Sequence, residues 1–239
     1  MALEDIAVKV EGVWLPKRER HLLEWMTTSK GAHREGGRIT YQWAKQTAAR
    51  EAAAAMFPDL KDRVFMDVGA HVGLWSMWWA GLVRHVEAYE PVPEMQLIYR
   101  ANMQGLPYVL HPYALGDTPG SVTLSFNPEN TGNTHRAREG DTPAVSINAP
   151  VLRLDDEYSP QDPPVGVLKI DCEGSEVAVV RGGLALIERD RPLIVVEQKK
   201  GADYYGDAPD AAVALLRACG YQVLRELSGD FIMGHEARL

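Results

Sequence analysis

The sequence lacks the cysteine and histidine pairs of a zinc-stabilised protein and the long apolar runs of a membrane-spanning one. Its two cysteines, Cys172 and Cys219, show no C-x-x-C spacing and there are no paired histidines, so we expect reduced thiols and no structural zinc. No apolar run reaches the roughly 18 residues needed to cross a bilayer. Residues 1–12 lack the basic and apolar segments of a secretory signal. These absences predict a soluble protein located in the cytoplasm.

Positive charge is also in short supply. The chain has 25 Lys and Arg against 33 Asp and Glu, which gives a formal net charge of −8. A surface of this average sign repels phosphate backbones, although a local basic patch can still form. We therefore expect no tight nucleic-acid partner and no membrane association.

An alternation of short β-rich runs and helical stretches begins near residue 64. The length of 239 residues suits one α/β domain with a short leader. Five runs, at residues 64–68, 85–90, 108–114, 165–171 and 192–197, carry the pattern. Right-handed crossovers between them predict a doubly wound, mostly parallel sheet. Two further runs, flanking Ser228-Gly229, predict an antiparallel hairpin at the C-terminal end.

Two segments depart from this rhythm. Residues 1–60 contain helical patterns around 21–28 and 40–57, and we interpret them as a helical leader or lid in front of a ligand-binding domain at 61–239. Residues 127–150 are crowded with turn formers and charges. We interpret that segment as a long polar insertion forming a mobile loop over the substrate.

The first run ends in a glycine-bearing turn, D-V-G-A-H-V-G starting at Asp67. Gly69 and Gly73 leave room for a ligand against bare backbone, and amides at the following helix start can bind a carboxylate. A dinucleotide fingerprint, G-x-G-x-x-G, would seat a pyrophosphate, whereas here His71 interrupts that spacing. The turn therefore favours a nucleoside without phosphates, and S-adenosylmethionine is such a ligand with a carboxylate of its own.

The next two strand ends carry side chains suited to the same nucleoside. Glu90 closes the second run, where it can accept hydrogen bonds from both ribose hydroxyls. Asp117 follows the third run and can accept from the adenine amino group, with Leu115 as an apolar wall. Each has a plainer interpretation, since Glu90 alone could be a solvated strand end and Asp117 a turn residue. Together and in register, they predict S-adenosylmethionine as the cofactor.

The fourth run ends K-I-D-C-E-G from Lys169, beside the expected cleft. Methyl transfer to a hydroxyl requires an aligned acceptor and removal of its proton, and we predict Glu173 or Asp171 as the base. Lys169 would pair with a carboxylate, either for catalysis or as an ion pair without a catalytic role. Glu197, at the end of the fifth run, would orient the acceptor or simply be solvated.

We predict no metal site. Asp171, Glu173 and Glu197 would ligate Mg²⁺ only if they converge, and their spacing alone is not specific. His71 and His135 fall in segments expected near the cleft, and both rank below Glu173 as the base.

At these residues the chain resembles the FkbM family of methyltransferases, over roughly residues 64–200. The resemblance rests on four segments: the D-V-G-A-H-V-G turn, E-P-V-P from Glu90, A-L-G-D ending at Asp117, and K-I-D-C-E-G from Lys169. It implies a Rossmann-like class I methyltransferase fold with a mostly parallel seven-stranded sheet and a C-terminal antiparallel hairpin. It also implies O-methylation, often of sugars or natural-product hydroxyls.

The resemblance also implies roles for single residues. Asp67, Gly69 and Gly73 would line the cofactor, with Ala70 in the same turn, while Glu90 holds the ribose, Asp117 meets adenine, and Asp171 and Glu173 face the reaction centre. Position 71 is often asparagine in the family, so the resemblance leaves the contact of His71 open.

We expect a small-molecule or carbohydrate acceptor, and three alternative functions remain. A methyltransferase acting on nucleic acid or protein would need a basic groove, for which the candidates are Arg34, Arg38, Lys45, Arg136 and Arg138. A non-catalytic module would keep the cofactor pocket and use the leader as a partner surface. A nicotinamide-dependent oxidoreductase is disfavoured by the glycine spacing.

Overall fold

The computed structural model describes residues 2–28, 33–137, 145–198 and 205–239. The leader consists of α1 (Leu3–Ile6), β1 (Ala7–Val10), β2 (Val13–Pro16), α2 (Arg20–Thr28), β3 (Arg34–Glu35), β4 (Arg38–Ile39) and α3 (Trp43–Met56). Both predicted helices are present. The leader also holds two antiparallel hairpins, β1–β2 and β3–β4, which the sequence pattern did not predict.

A seven-stranded sheet forms the centre of the molecule. Its strands are β5 (Val64–Val68), β6 (His85–Tyr89), β7 (Tyr108–His111), β12 (Val165–Ile170), β13 (Leu193–Glu197), β14 (Tyr221–Leu227) and β15 (Asp230–His235). They lie in the order β14-β15-β13-β12-β5-β6-β7, and β15 runs antiparallel to both of its neighbours while the other pairings are parallel. Every residue of β5, β12 and β13 is buried, as expected for parallel strands covered on both faces. The predicted fold class is confirmed.

Helices cover the two faces of this sheet. They are α4 (Ser76–Trp79), α5 (Pro93–Asn102), α6 (Leu154–Glu157), α7 (Glu176–Gly182), α8 (Leu184–Asp190) and α9 (Ala211–Ala218). The helical segment after β12 is divided at Gly183 into α7 and α8. Among the residues described, no helix is long and apolar enough to span a membrane.

The leader is packed into the core. Ala49 and Ala53 of α3 are fully buried and share an apolar cluster with Phe65 of β5. Lys45 of α3 forms a 2.7 Å ion pair with Asp230 of β15. Asn102 of α5 accepts a hydrogen bond from the backbone N–H of Trp14 (2.7 Å) and donates one to its carbonyl (2.9 Å). These contacts fix the leader against one face of the sheet, and its action as a lid stays a prediction.

A second, four-stranded sheet lies between the third and fourth strands of the central sheet in sequence. It contains β8 (Ala114–Leu115), β9 (Gly120–Asn127), β10 (Asn130–Arg136) and β11 (Val145–Leu152), in the order β10-β9-β11-β8, and is called the wing below.

The prediction of an irregular polar loop at 127–150 is wrong where β10 and β11 lie. The missed signal is the period-two pattern of Val122, Leu124 and Phe126, which marks β9 as the strand that these two pair with. The turn formers after Asn127 connect β9 to β10. Residues 138–144, and any mobile loop there, lie outside the described part of the chain.

Candidate cofactor-binding and active site

A cavity of about 440 Å³ opens at the carboxyl edge of β5, β6 and β12, beneath the wing. Its volume falls in the range of small-molecule sites. The loops of the central sheet and the strand β8 place on its wall a set of predicted residues, namely Gly69, His71, Glu90, Leu115, Asp117, Asp171 and Glu173. The wing adds Thr131, Thr134, His135 and Arg136, of which only His135 and Arg136 were considered from the sequence. The carboxyl ends of parallel strands meet at one edge, so motifs far apart in sequence converge here.

The glycine turn after β5 is shaped by close packing between two loops. Gly69 has a φ of +75°, and a Cβ there would lie 1.9 Å from the carbonyl oxygen of Asp171. Gly73 has a φ of +83°, and its Cβ would lie 3.0 Å from the ring of Tyr99. Ala70 is buried in the same turn and does not line the cavity. These glycines therefore serve first to bring protein segments together, and only Gly69 reaches the cavity wall.

Glu90 holds the turn through its carboxylate. It is buried, and one oxygen accepts from the backbone N–H of His71 (2.8 Å) while the other accepts from Val92 (2.8 Å). Burial raises the pKa of Glu90 to about 7, against the lowering effect of these two hydrogen bonds. Each carboxylate oxygen keeps a further lone pair for a ligand hydroxyl.

Asp67 lies behind the turn instead of lining the cavity. It is fully buried, 3.0 Å from the ammonium of Lys169, and accepts a 2.6 Å hydrogen bond from the hydroxyl of Ser76. This placement differs from the predicted cofactor contact, because the side chain of Asp67 points at Lys169 and the start of α4. The sequence motif alone did not single out Ser76.

Lys169 connects the turn with the fourth strand end. Its ammonium donates to the carbonyl of Gly69 (3.2 Å) and lies 3.9 Å from the carboxylate of Asp171. Burial alone would lower the pKa of Lys169, but Asp67 and Asp171 outweigh it, so the net pKa is raised. Lys169 therefore stays a cation, paired with a carboxylate as expected, and Asp67 is its nearer partner.

Asp117 and Leu115 line the cavity next to helix α7. Leu115 is buried, while the side chain of Asp117 is 41% exposed and lies 4.0 Å from the guanidinium of Arg181. Gly182, one residue further along α7, lets that helix approach these residues, since a Cβ there would lie 2.0 Å from the carbonyl oxygen of Gly116. No local motif predicted Arg181 or Gly182, because the contact joins segments far apart in sequence.

Three carboxylates converge at the carboxyl ends of β12 and β13. Ligand atoms of Asp171, Glu173 and Glu197 all lie within 4.8 Å of one another. Asp171 and Glu173 also line the cavity, whereas Glu197 is buried at the end of β13 and does not. This donor set suits a hard divalent cation such as Mg²⁺, so the condition set from the sequence for a metal, convergence of the three, is met. Among the described residues, these three form the group of acidic, histidine or cysteine side chains close enough together to hold a metal ion.

Tyr41 of the leader lies within electrostatic range of Asp171 and Glu197, although it does not line the cavity. Burial raises the pKa of the Tyr41 hydroxyl, and the charge of Asp171 adds to the increase. The ring of Tyr41 packs edge-on against Trp25 of α2, with ring centroids 5.0 Å apart. Sequence reasoning missed Tyr41, because nothing local links the leader to the fourth strand end.

Cys172 lies on the cavity wall between Asp171 and Glu173. Both cysteines are free, as predicted, and burial raises the pKa of the Cys172 thiol. A neutral thiol at this position is a poor nucleophile, which is consistent with a site that does not proceed through a cysteine adduct.

Comparison with known proteins agrees with this arrangement. A family model described as the methyltransferase FkbM domain matches residues 67–223, more than half of the chain. The chain belongs to this family. All four segments that carried the resemblance lie within or overlap the matched region.

Individual relatives are distant. A curated protein named Methyltransferase 1, from Beauveria bassiana, is 27% identical over 154 residues, which is 54% of this chain and 60% of that protein. The crystal structure of an FkbM methyltransferase from Methylobacillus flagellatus aligns with a TM-score of 0.49 at 16% identity, covering 73% of this chain and 44% of that one. Monomeric WbdD aligns with a TM-score of 0.51 at 10% identity, covering 92% of this chain and 46% of that one, a likeness of fold. The chain thus spans about three fifths of its curated relative's length.

Proposed function

We propose that the protein is an S-adenosylmethionine-dependent methyltransferase that methylates a hydroxyl group on a sugar or a small natural product. The main support for this cofactor is the chemistry of the cavity wall. Four carboxylates line it, those of Glu90, Asp117, Asp171 and Glu173. Carboxylates accept hydrogen bonds from hydroxyl and amino groups, stabilise a cation such as a sulfonium, and repel phosphates. Membership of the FkbM methyltransferase family supports the same conclusion.

The residues on the cavity wall would have different roles according to their position. Glu90 binds the ribose hydroxyls, Asp117 and Leu115 hold the adenine, and Gly69 lets the two loops close on the ligand. When bound, S-adenosylmethionine supplies the methyl group for an in-line displacement. At the carboxyl end of β12, Asp171 or Glu173 would accept the proton of the acceptor hydroxyl.

Lys169 and Glu197 would act from behind these carboxylates. Lys169 is an ammonium held between Asp67 and Asp171, so it would hold the Asp171 carboxylate in place. Glu197 lies next to Asp171 and Glu173 but off the cavity wall, so it would orient the acceptor through a cation that the three carboxylates share.

A small acceptor is better supported than a macromolecule. Two of the basic residues considered for a groove are already paired, Arg34 with Glu11 at 2.5 Å and 2.7 Å, and Lys45 with Asp230 at 2.7 Å. Arg138 lies outside the described residues. The wing instead lines the cavity with polar residues, among them Thr134 and His135, and such groups suit a polyhydroxylated acceptor.

Isothermal titration with S-adenosylmethionine, S-adenosylhomocysteine and NAD tests the proposal. We expect micromolar binding of the first two, no binding of NAD, and a loss of about tenfold or more in a Glu90→Ala variant, since hydrogen bonds to a charged group are lost. A panel of sugars and hydroxylated natural products would then be screened for methyl transfer. Absence of binding to either sulfur compound, or preferential binding of NAD, would overturn the proposal.

The pKa of Glu90 predicts how cofactor binding depends on pH. Ribose hydroxyls donate to the ionised carboxylate, so binding requires the form that predominates above the free pKa of about 7. Below that pKa a proton must be released, and the Kd at pH 6 should exceed its high-pH limit by about tenfold. Titration from pH 8 to pH 6 measures this, and Glu90→Gln should flatten the profile. A flat profile in the unmodified protein would contradict the prediction.

A further inference from the structure

A buried carboxylate of the leader is hydrogen-bonded to the wing. Glu19 precedes α2 and accepts a 3.1 Å hydrogen bond from the backbone N–H of Leu22, which caps that helix. Its other oxygen accepts from both the backbone N–H and the hydroxyl of Thr131 in β10, the latter at 2.8 Å. Glu19 and Thr131 are 1% and 2% exposed, so these partners are not exchanged for bulk water.

The hydroxyl of Thr131 fixes the protonation of the next group. A hydroxyl has one proton, and that of Thr131 is donated to Glu19. The Nε2 atom of His71 lies 2.8 Å from the same oxygen, so it must act as the donor. In the neutral imidazole the proton is therefore on Nε2, and Nδ1 carries a lone pair.

His71 stays neutral across the physiological range. Burial lowers its pKa to about 4, with Lys169 acting in the same direction and the carboxylates of Glu19 and Asp171 opposing it. The Nδ1 lone pair is thus available as an acceptor. Nδ1 makes no hydrogen bond within the part of the chain that the structure describes, although His71 lines the cavity.

The ligand group that fits this atom is a hydrogen-bond donor. Of the donors on the cofactor, Glu90 would take the ribose hydroxyls and Asp117 the adenine amino group, which leaves the α-ammonium of the amino-acid end. We propose that Nδ1 of His71 accepts a hydrogen bond from the cofactor's α-ammonium group, with Glu19 and Thr131 as positioning residues that hold the required tautomer. This inference rests on the proposed function.

The arrangement gives the leader and the wing a part in cofactor recognition. His71 is in the glycine turn, Thr131 in the wing and Glu19 in the leader, and the three are joined by two hydrogen bonds of 2.8 Å. An acceptor hydroxyl could supply the same donor chemistry at Nδ1. Binding measurements without any acceptor separate the two sources.

The test compares two ligands that differ at the amino-acid end. S-adenosylhomocysteine carries the α-ammonium, whereas 5′-methylthioadenosine keeps the nucleoside and thioether and lacks it. Titration of Thr131→Val should show about tenfold weaker binding of S-adenosylhomocysteine and unchanged binding of 5′-methylthioadenosine. Thr131→Ser keeps the hydroxyl and should bind both ligands as the unmodified protein does.

A second variant tests the tautomer directly. His71→Asn offers an amide oxygen that needs no tautomer and tolerates the positive φ of 51° at this position. In the His71→Asn background, Thr131→Val should no longer weaken the binding of S-adenosylhomocysteine. The effects of the two substitutions on the binding free energy should therefore be non-additive.

Each remaining outcome decides against a specific statement. Equal loss of both ligands in Thr131→Val would show a general structural role, and unchanged binding of both would assign Nδ1 to the acceptor or to no ligand; either overturns the inference while leaving the cofactor in place. If the unmodified protein binds neither S-adenosylhomocysteine nor S-adenosylmethionine, the proposed function fails and the inference fails with it.

Discussion

A Gly69→Ala variant should lose cofactor binding and be destabilised by about 3 kcal/mol or more. The new Cβ would lie 1.9 Å from the carbonyl oxygen of Asp171, which is backbone and cannot rotate away. The φ of +75° at position 69 adds the cost of a left-handed conformation for a residue with a side chain. The turn and the fourth strand end would have to separate, and both form the cavity wall. Urea denaturation and titration with S-adenosylhomocysteine measure the two effects.

Gly81→Ala is the matched control. A Cβ at position 81 meets nothing within 4 Å, and Gly81 does not have a positive φ. Its stability should stay within about 0.5 kcal/mol of the unmodified protein, with unchanged binding. If Gly69→Ala behaved like Gly81→Ala, the close approach of the two loops would be refuted.

A Lys169→Met variant should lose about 3–5 kcal/mol of stability. The substitution removes the cation next to Asp67, which is fully buried, and leaves its carboxylate without a compensating charge. The same change removes the ammonium that donates to the carbonyl of Gly69 and lies near Asp171. Chemical denaturation at pH 7 measures the loss.

The double variant with Asp67→Asn separates charge from packing. Neutralising Asp67 removes the uncompensated charge, so most of the stability lost in Lys169→Met should return. Cofactor binding should return with it if Lys169 acts by positioning the turn, while methyl transfer should stay low if Lys169 also positions the Asp171 carboxylate. If Lys169→Met were as stable as the unmodified protein, the ion pair between Lys169 and Asp67 would not be what stabilises the glycine turn.

The strands of the central sheet were predictable because their signals are local. Residues 64–66 and 193–196 are continuously apolar, and each of these stretches is followed directly by a carboxylate, Asp67 and Glu197. The C-terminal hairpin carries its own turn in Ser228-Gly229. The wing was missed because clustered Asn, Gly and Thr outweighed the alternation in β9, and strand pairing decided the structure there.

The site residues differ in the same way: some positions were predictable from local motifs, and others depended on pairing between distant segments. Glu90 and Asp117 were placed at the cavity because strand ends of a parallel sheet meet at one edge. Asp67 belongs to the same motif but its side chain faces Lys169, and alternation along β5 and pairing with β12 set that direction. Sequence order alone does not give the partner across a strand pair.

The sequence by itself determined the fold class, the family and the edge of the sheet where the ligand would bind, since these depend on periodicity and on short motifs within single segments. The tertiary structure alone decided which side chains share that edge. It joined Glu19 of the leader to Thr131 of the wing and Thr131 to His71 by hydrogen bonds, and it brought Asp171, Glu173 and Glu197 together. The reason is physical: burial, hydrogen-bond direction and electrostatic pairing depend on atoms that are distant in the chain and adjacent only after folding.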